Sequence, residues 1–472
     1  MDLPDGLVAF VKKDCPTCEL VVPVLRQLPV TVVVQDDPEW PQDVTRVDDT
    51  ALELSWRNDI ETVPTLVRRV DGVETGRVQG WLREQWEELS GVGDLGPGLP
   101  EHRPGCGSRS VEWGLSEELE RRYGGRVLAS RQVELADLED DVEAAYARGW
   151  TDGLPVVPPT PERVLRMLAG RDPAEVVAIV PPDLVPCTVE KVAVNAVMAG
   201  CLPEYLPVVL AAVRAACTDG FNAHGLLATT YPSGPVVVVN GPVARAIGMN
   251  SGGNALGQGN RANATIGRAL QLVIRNVGGG RPGEVDRAAQ GNPGKYTFCF
   301  AEAEDGSPFE PLHVSRGCPP GSSAVTLFAG AGSSVVVDQL SRTPEALARS
   351  LALALRAVAH PKLVLIFDAM LVLSPEHGRV LREAGWDRAR LMAELEPLLM
   401  LQPEELRRGN GGIEEGMPPG MDGAPLPKFR PGGLLLVHAG GTAGLFSTVI
   451  GGWVSGDGGS APTTEPVEKE SA

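Results

Sequence analysis

The sequence predicts an α/β chain with a small dithiol-bearing domain first and a larger α/β domain with a mostly parallel sheet behind it. Three observations carry this. Short apolar runs such as Leu7-Val8-Ala9-Phe10-Val11 and Val176-Val177-Ala178-Ile179-Val180 alternate with stretches whose apolar residues recur at helical spacing. The length, 472 residues, exceeds what one hydrophobic core usually organises. A strand, tight turn and helix open the chain, with two thiols on the turn in Asp14-Cys15-Pro16-Thr17-Cys18.

That opening unit justifies itself element by element. Strand 7–11 feeds the turn, and Leu20, Val21, Val24, Leu25 and Leu28 give the helix its buried stripe. Thr31-Val32-Val33-Val34 makes a second strand, Thr62-Val63-Pro64-Thr65-Leu66-Val67 enters a third, Asp71-Gly72 turns into Thr75-Gly76-Arg77-Val78, and 82–89 closes with a helix. A thiol at a helix N-terminus faces unpaired N–H groups and the positive end of the macrodipole, which favour a thiolate. Cys15 is therefore the expected nucleophile. Cys18, one turn on, is placed to resolve a mixed disulfide by attacking Cys15.

On these residues, 1–92 resembles the thioredoxin and glutaredoxin superfamily. The resemblance implies that the Val63-Pro64 bond is cis and that Pro64 forms the substrate-peptide platform against the dithiol. It also implies a thiol reductant or a disulfide protein as partner, with no cofactor beyond the dithiol. Pro16-Thr17 matches neither superfamily's usual dipeptide between the thiols, which leaves the reductant open. The alternative, half of a zinc site, needs a second ligand pair at short spacing, and none follows; no metal is expected.

Net charge is −19, and no basic cluster interleaved with aromatics occurs, so neither nucleic acid nor an anionic membrane is an expected partner. Met1-Asp2-Leu3-Pro4-Asp5 has no basic or apolar signal character, and no apolar run reaches the roughly 18 residues of a membrane span. A cytoplasmic location is expected, in which most of the eight cysteines are free thiols.

Gly/Pro-rich composition over 91–109 reads as a linker. Cys106 within it reads as an incidental loop cysteine, with a mobile relay thiol as the alternative. Residues 93–148 continue as linker and charged helix, the helical part being 115–148. The extended Gly149-Trp150-Thr151-Asp152-Gly153-Leu154-Pro155 segment then opens a large domain over 149–453. Buried strands are expected at 176–180, 235–240, 296–301, 324–328, 363–367 and 434–437. Helices are expected at 189–198, 206–216, 265–277, 344–358, 375–384 and 388–399. A Gly/Pro-rich loop over 409–431 reads as a lid or interface arm, and 454–472 as a disordered tail.

Three places in the large domain could carry chemistry. Cys201, between Gly200 and Pro203, lies just ahead of a helix start, where a thiol pKa would fall; its competing reading is a small apolar residue under a helix corner. The stretch 249–265 is rich in glycine and offers Asn250, Asn254, Asn260 and Asn263, with Arg261 at a helix start that favours an anion, although a purely structural loop fits the same residues. His438 and Ser447 follow an apolar strand, where ligands collect in open α/β sheets, and His224 and Glu204 are further acid/base candidates. A lone His of this kind is more often structural, and no nucleophile elbow supports a hydrolase triad. The motifs "GWTDGLPVVPPT", "VAVNAVMAGCLPEYLPVVLAA" and "RANATIGRALQLVIRNVGGGRPGE" make 149–453 similar to a bacterial family without an assigned reaction, associated with UGSC-type (seleno)proteins. That resemblance implies thiol or selenol company, and a UGSC-type protein as a partner. The expected activity is thiol-disulfide oxidoreduction, with the Cys15/Cys18 dithiol reducing a cysteine or thio-adduct at Cys201 or on a partner. The alternative is a non-redox lyase or transferase on a small anionic substrate, with the first domain as a docking module.

Overall fold

A computed structural model describes residues 3–112, 115–125, 128–136, 139–420, 423–456 and 458–468. Met1 and Asp2, part of the 409–431 loop, and the last four residues of the tail lie outside the described residues. The chain divides into two units. One comprises 1–128 with 161–166, and the other 129–160 with 167–472.

The first unit runs β1 (Gly6–Val11), α1 (Pro16–Leu25), β2 (Val30–Val34), β3 (Thr45–Asp48), α2 (Glu53–Arg57), β4 (Thr62–Val63), β5 (Thr65–Val70), β6 (Val73–Gln79), β7 (Trp81–Leu82), α3 (Arg83–Ser90), β8 (His102–Arg103), β9 (Cys106–Gly107) and α4 (Leu115–Tyr123). Its sheet has the order β3-β2-β1-β5-β6, with β1, β2 and β3 parallel and β5 and β6 antiparallel. Val8, Phe10, Val32, Val33 and Leu66 fill its core with Val21, Val24 and Trp86.

The expected linker at 91–109 is folded into this unit. Leu95 is fully buried, the Arg83 N–H donates to the Glu101 carbonyl at 2.9 Å, and Trp81 Nε1 donates to the Pro100 carbonyl at 2.6 Å. Strands β8 and β9 pair back onto β7 and β4. A segment of linker composition is held here by the backbone groups of its neighbours rather than by apolar periodicity. The expected helix over 115–148 is two short helices, α4 and α5 (Asp141–Ala147), with no helix among the described residues between them.

After α5 and α6 (Pro161–Leu168), which straddles the division, the second unit continues with β10 (Val176–Val180), β11 (Val185–Thr188), α7 (Val189–Ala199), α8 (Leu206–Ala216), α9 (Ala223–Ala228), β12 (Gly234–Asn240), α10 (Pro242–Ala246), α11 (Arg261–Asn276), β13 (Cys299–Ala301), α12 (Leu312–Ser315) and β14 (Ala324–Val337). It is completed by α13 (Pro344–Arg356), β15 (Phe367–Leu373), α14 (Pro375–Glu383), α15 (Arg388–Leu398), β16 (Met400–Leu401), α16 (Pro403–Leu406), β17 (Leu426–Pro427), β18 (Leu434–His438), β19 (Phe446–Val454) and β20 (Thr463–Pro466).

The main sheet, β13-β12-β14-β19-β15-β18 with β20 on β14, corrects the expectation of a mostly parallel sheet. Only β12/β13 and β15/β18 pair parallel; β12/β14, β14/β19, β15/β19 and β14/β20 are antiparallel. The 14-residue β14 and nine-residue β19 impose this: β14 pairs β12 along its first half and β19 along its second. The expected strand at 363–367 instead begins at Phe367 and runs through Asp368, whose buried carboxylate is clasped by Arg430 at 2.9 and 3.1 Å. The expected buried strand at 176–180 is half of a separate, largely exposed hairpin with β11. Within the expected tail, β20 is an ordered strand. Among the described residues no helix is long and apolar enough to cross a membrane.

Candidate functional site

In the first unit the sequence at the β1–α1 turn dictates the site. Cys15 is the N-cap of α1, with extended backbone, and Pro16 fills the first helical position, where its missing N–H costs nothing. The Cys15 sulfur therefore takes the acceptor place of a capping oxygen: the Cys18 N–H donates to it at 3.4 Å. As a thiol, Cys15 reaches the Val63 carbonyl at 3.6 Å, so the cis Val63–Pro64 peptide lies beside the dithiol. The hydrogen bond from the Cys18 thiol lowers the Cys15 pKa most. Burial opposes it, and Cys106 and hydrogen bonds from the N–H groups of Cys18 and Thr17 add to it, leaving Cys15 at about 5. Burial and its bond to Cys15 hold Cys18 as a thiol far above the ordinary range. The two sulfurs thus divide into one thiolate and one protonated partner, the pairing that disulfide exchange uses.

The third sulfur at this site is Cys106, which sequence reasoning set aside as incidental. Strand β9 places Cys106 directly across from Val63. Its side chain packs on the unit's core, and with Val63 between them in the β4–β9 pairing it adjoins the Cys15 sulfur closely enough to lower that thiol's pKa. Glycine at 105 permits the approach: a Cβ there would lie 2.4 Å from Thr62 Cγ2 and 2.7 Å from the Val63 oxygen. Anchors hold both flanks. Thr17 Oγ1 donates to the Pro104 carbonyl at 2.8 Å, the Ser108 N–H donates to Glu61 at 2.9 Å, and Gln35 binds Ser108 Oγ at 2.7 Å. Cys106 therefore sits on an anchored strand beside the dithiol, not on a loose linker. The signal in the sequence was the run Pro104-Gly105-Cys106-Gly107.

In the second unit, Cys201 follows Gly200, whose φ of +90° ends α7. Burial pushes the Cys201 thiol up to about 12, against weaker help from Thr265 and Arg261. This corrects the expected depression: nearly complete desolvation outweighs the helix start ahead of it. The structure does bring Cys201 and Arg261 together, but Arg261 Nε donates to the Gly200 carbonyl at 2.9 Å.

The amides of the glycine-rich loop are occupied by the loop itself. Asn263, buried, accepts from the Asn250 N–H at 3.0 Å and donates to the Asn250 and Ala255 carbonyls; Asn260 caps α11; Asn254 donates to the Gln258 carbonyl at 2.6 Å. This favours the structural reading of the loop over the ligand-facing one. His224 is exposed on α9. Ser447 is buried and hydrogen-bonds His377 Nδ1 at 2.7 Å, while the other ring nitrogen of His377 meets the Asp338 carbonyl at 3.0 Å.

His438 ends β18 as expected and is buried there, with Nδ1 on the Ala303 carbonyl at 2.8 Å and Nε2 unpartnered; burial lowers its pKa. What it adjoins was not foreseen. Glu302, just past β13, receives the Leu312 N–H at 2.7 Å, Asn240 Nδ2 at 2.6 Å and, at 3.4 Å, the His438 N–H. Asn240 Nδ2 also reaches Glu304 at 3.0 Å, so one amide bridges two carboxyl groups. Burial raises the Glu302 pKa to about 7 despite those bonds. Glu302 and Glu304 line a cavity of about 150 Å³ with Ser251, Met249 and Arg245, at the carboxyl ends of β12 and β13. The alternation Glu302-Ala303-Glu304 after an apolar strand was the available signal, since residues two apart share a face.

A larger cavity, about 550 Å³, is lined by Asp152, Gln271, Arg275, Asp286 and Lys295. Gln271 and Lys295 lie against Gly234, so it opens at the amino end of β12. Its charges are largely paired, Lys295 with Asp286 at 2.8 Å and Asp152 with Arg268 at 2.7 Å. Among the described residues no group of three or more His, Cys, Asp or Glu side chains is arranged to hold a metal ion. No family model, no curated protein and no solved structure matches the chain.

Proposed function

We propose that the protein is a thiol-disulfide oxidoreductase whose working dithiol is Cys15 and Cys18, in a first unit of the thioredoxin and glutaredoxin kind. The observation that carries this is the Cys15 sulfur at the N-cap of α1, depressed to about 5, beside a buried, protonated Cys18. The Cys15 thiolate attacks one sulfur of a disulfide and expels the other as a thiolate. Cys18 gives its proton to the thiolate already released, attacks the Cys15 sulfur, expels the second thiolate and leaves a Cys15–Cys18 disulfide. Two electrons pass to the substrate, and a thiol reductant returns them. The substrate is a disulfide protein, a UGSC-type (seleno)protein among the partners this reading admits. In the test, the full chain reduces hydroxyethyl disulfide at the expense of a thiol reductant, and Cys15→Ser abolishes the reaction. Undiminished reduction by that variant would refute the role of Cys15.

For the second unit, the sealed Cys201 favours a non-redox reading, a lyase or transferase using Glu302 as an acid near neutral pH. Mild alkylation with peptide mapping separates this from internal electron transfer. Cys201 stays unlabelled if the unit is non-redox, and early labelling of Cys201 returns it to the redox path.

A further inference from the structure

In the reduced chain Cys15 is 1% exposed and Cys18 fully buried, whereas Cys106 is partly open to solvent. The segment carrying Cys106 lies against the dithiol, fixed by the β4–β9 pairing and by the hydrogen bond from Thr17 to Pro104. A disulfide arriving from outside thus meets Cys106 before it can meet Cys15.

We propose that Cys106 is a third redox thiol, which forms a disulfide with Cys15 and relays exchange between the buried dithiol and disulfide substrates outside. This rests on the oxidoreductase reading above and changes its first step: the outside disulfide is met by Cys106, and Cys15 attacks the mixed disulfide formed there.

The exchange balances without a further reagent. Cys106, its proton passed to the neighbouring Cys15 thiolate at Val63, attacks a substrate R–S–S–R; Cys106–S–S–R forms and RS⁻ leaves. Cys15 passes that proton to the departed RS⁻, attacks the Cys106 sulfur and expels the second RS⁻, leaving a Cys15–Cys106 disulfide. Cys18 then attacks Cys15 and hands its proton to the released Cys106 sulfur, giving Cys15–Cys18 and restoring the Cys106 thiol. The last step is an isomerisation with no net oxidation. Lys12 and the Thr17 N–H both favour the thiolate that Cys106 must become. Burial and the adjoining Cys15 hold it as a thiol at rest, so it turns nucleophilic only with its neighbour.

The experiment uses the full chain and hydroxyethyl disulfide. In Cys18→Ser, one equivalent of oxidant is expected to release two equivalents of mercaptoethanol and leave a Cys15–Cys106 link, found by peptide mapping without reduction. That variant keeps turning over with a thiol reductant, and Cys18→Ser/Cys106→Ser does not. Cys15 held as a mixed disulfide with mercaptoethanol in Cys18→Ser, or equal turnover in the single and double variants, overturns the relay. The mapping leaves Cys106 native, so a folding defect of the double variant does not decide the matter. Undiminished reduction by Cys15→Ser would instead refute Cys15 as the working thiol of the proposed function, a separate outcome.

Discussion

At Cys15 a cysteine occupies a position that Ser, Thr or Asp usually fills, and the cap geometry becomes acid–base chemistry. The neighbours that lower its pKa are few and named, so their removal is readable. The thiolate ultraviolet absorbance lost in Cys15→Ser should titrate with a midpoint near pH 5. Cys18→Ala, which removes the largest cause, should move that midpoint upward toward the ordinary thiol value of about 8.5, and Cys106→Ala should move it less. Because the folded value lies below the unfolded one, this thiolate stabilises the native state above the unfolded pKa, and the contribution is lost as pH falls toward 5. A midpoint near the ordinary value in the unmutated chain would remove the basis for calling Cys15 the nucleophile. Cys15 and Cys18 were legible in sequence because strand, turn and helix are contiguous there. Cys106 was not, because its partner Val63 lies far back in the chain and the pairing is set by backbone bonds and by a glycine at 105.

Among elements, the helices over 189–199, 206–216 and 344–356 follow their expected spans closely; 344–356 buries one apolar stripe, whereas 189–199 and 206–216 are buried almost all round. Strands were harder. The first half of β14 and the whole of β18 are apolar runs, yet the second half of β14 is largely exposed, and β19 carries Gly451 and Gly452, so neither shows its length in sequence. The ends of β12, β13 and β18 meet α12 at Glu302, a junction no local pattern announces. There, burial raises the carboxyl from 4.5 to about 7, so the folded state binds its proton more tightly than the unfolded state does. The stabilisation is whole below pH 4.5 and lost as pH rises through 7, on the order of 3 kcal/mol in all. Glu302→Gln cannot ionise. Denaturant unfolding of both proteins at several pH values should therefore show the parent losing stability relative to the variant over that window. Parallel stability curves would mean that Glu302 is not held protonated.

Across the whole molecule, the last described residues are structural. Strand β20 pairs with Ala324–Leu327 of β14 on the side away from β12, Thr464 Oγ1 lies 2.9 Å from Thr326 Oγ1, and Arg316 binds Thr464 and the Pro462 carbonyl. Around it, Asn222 donates to the Gly459 carbonyl at 2.9 Å and Arg214 meets Glu468 at 3.0 Å. Polar, Gly/Ser/Pro-rich composition pointed to disorder because almost no apolar burial marks this strand. Its order comes from an open ladder edge on β14, which would otherwise present unpaired N–H and C=O groups. Ending the chain after Gly456 should therefore cost several kcal/mol, at about 1 kcal/mol net for each lost hydrogen bond and more for backbone groups left buried. The chain should melt earlier and aggregate more readily through the exposed edge. Cys15, Cys18 and Cys106 all belong to the other unit, so disulfide reduction per folded molecule should be unchanged in the shortened chain. Loss of that activity alongside retained secondary structure would mean that the dithiol depends on the second unit, and an unchanged melting temperature would mean that β20 contributes nothing to the sheet.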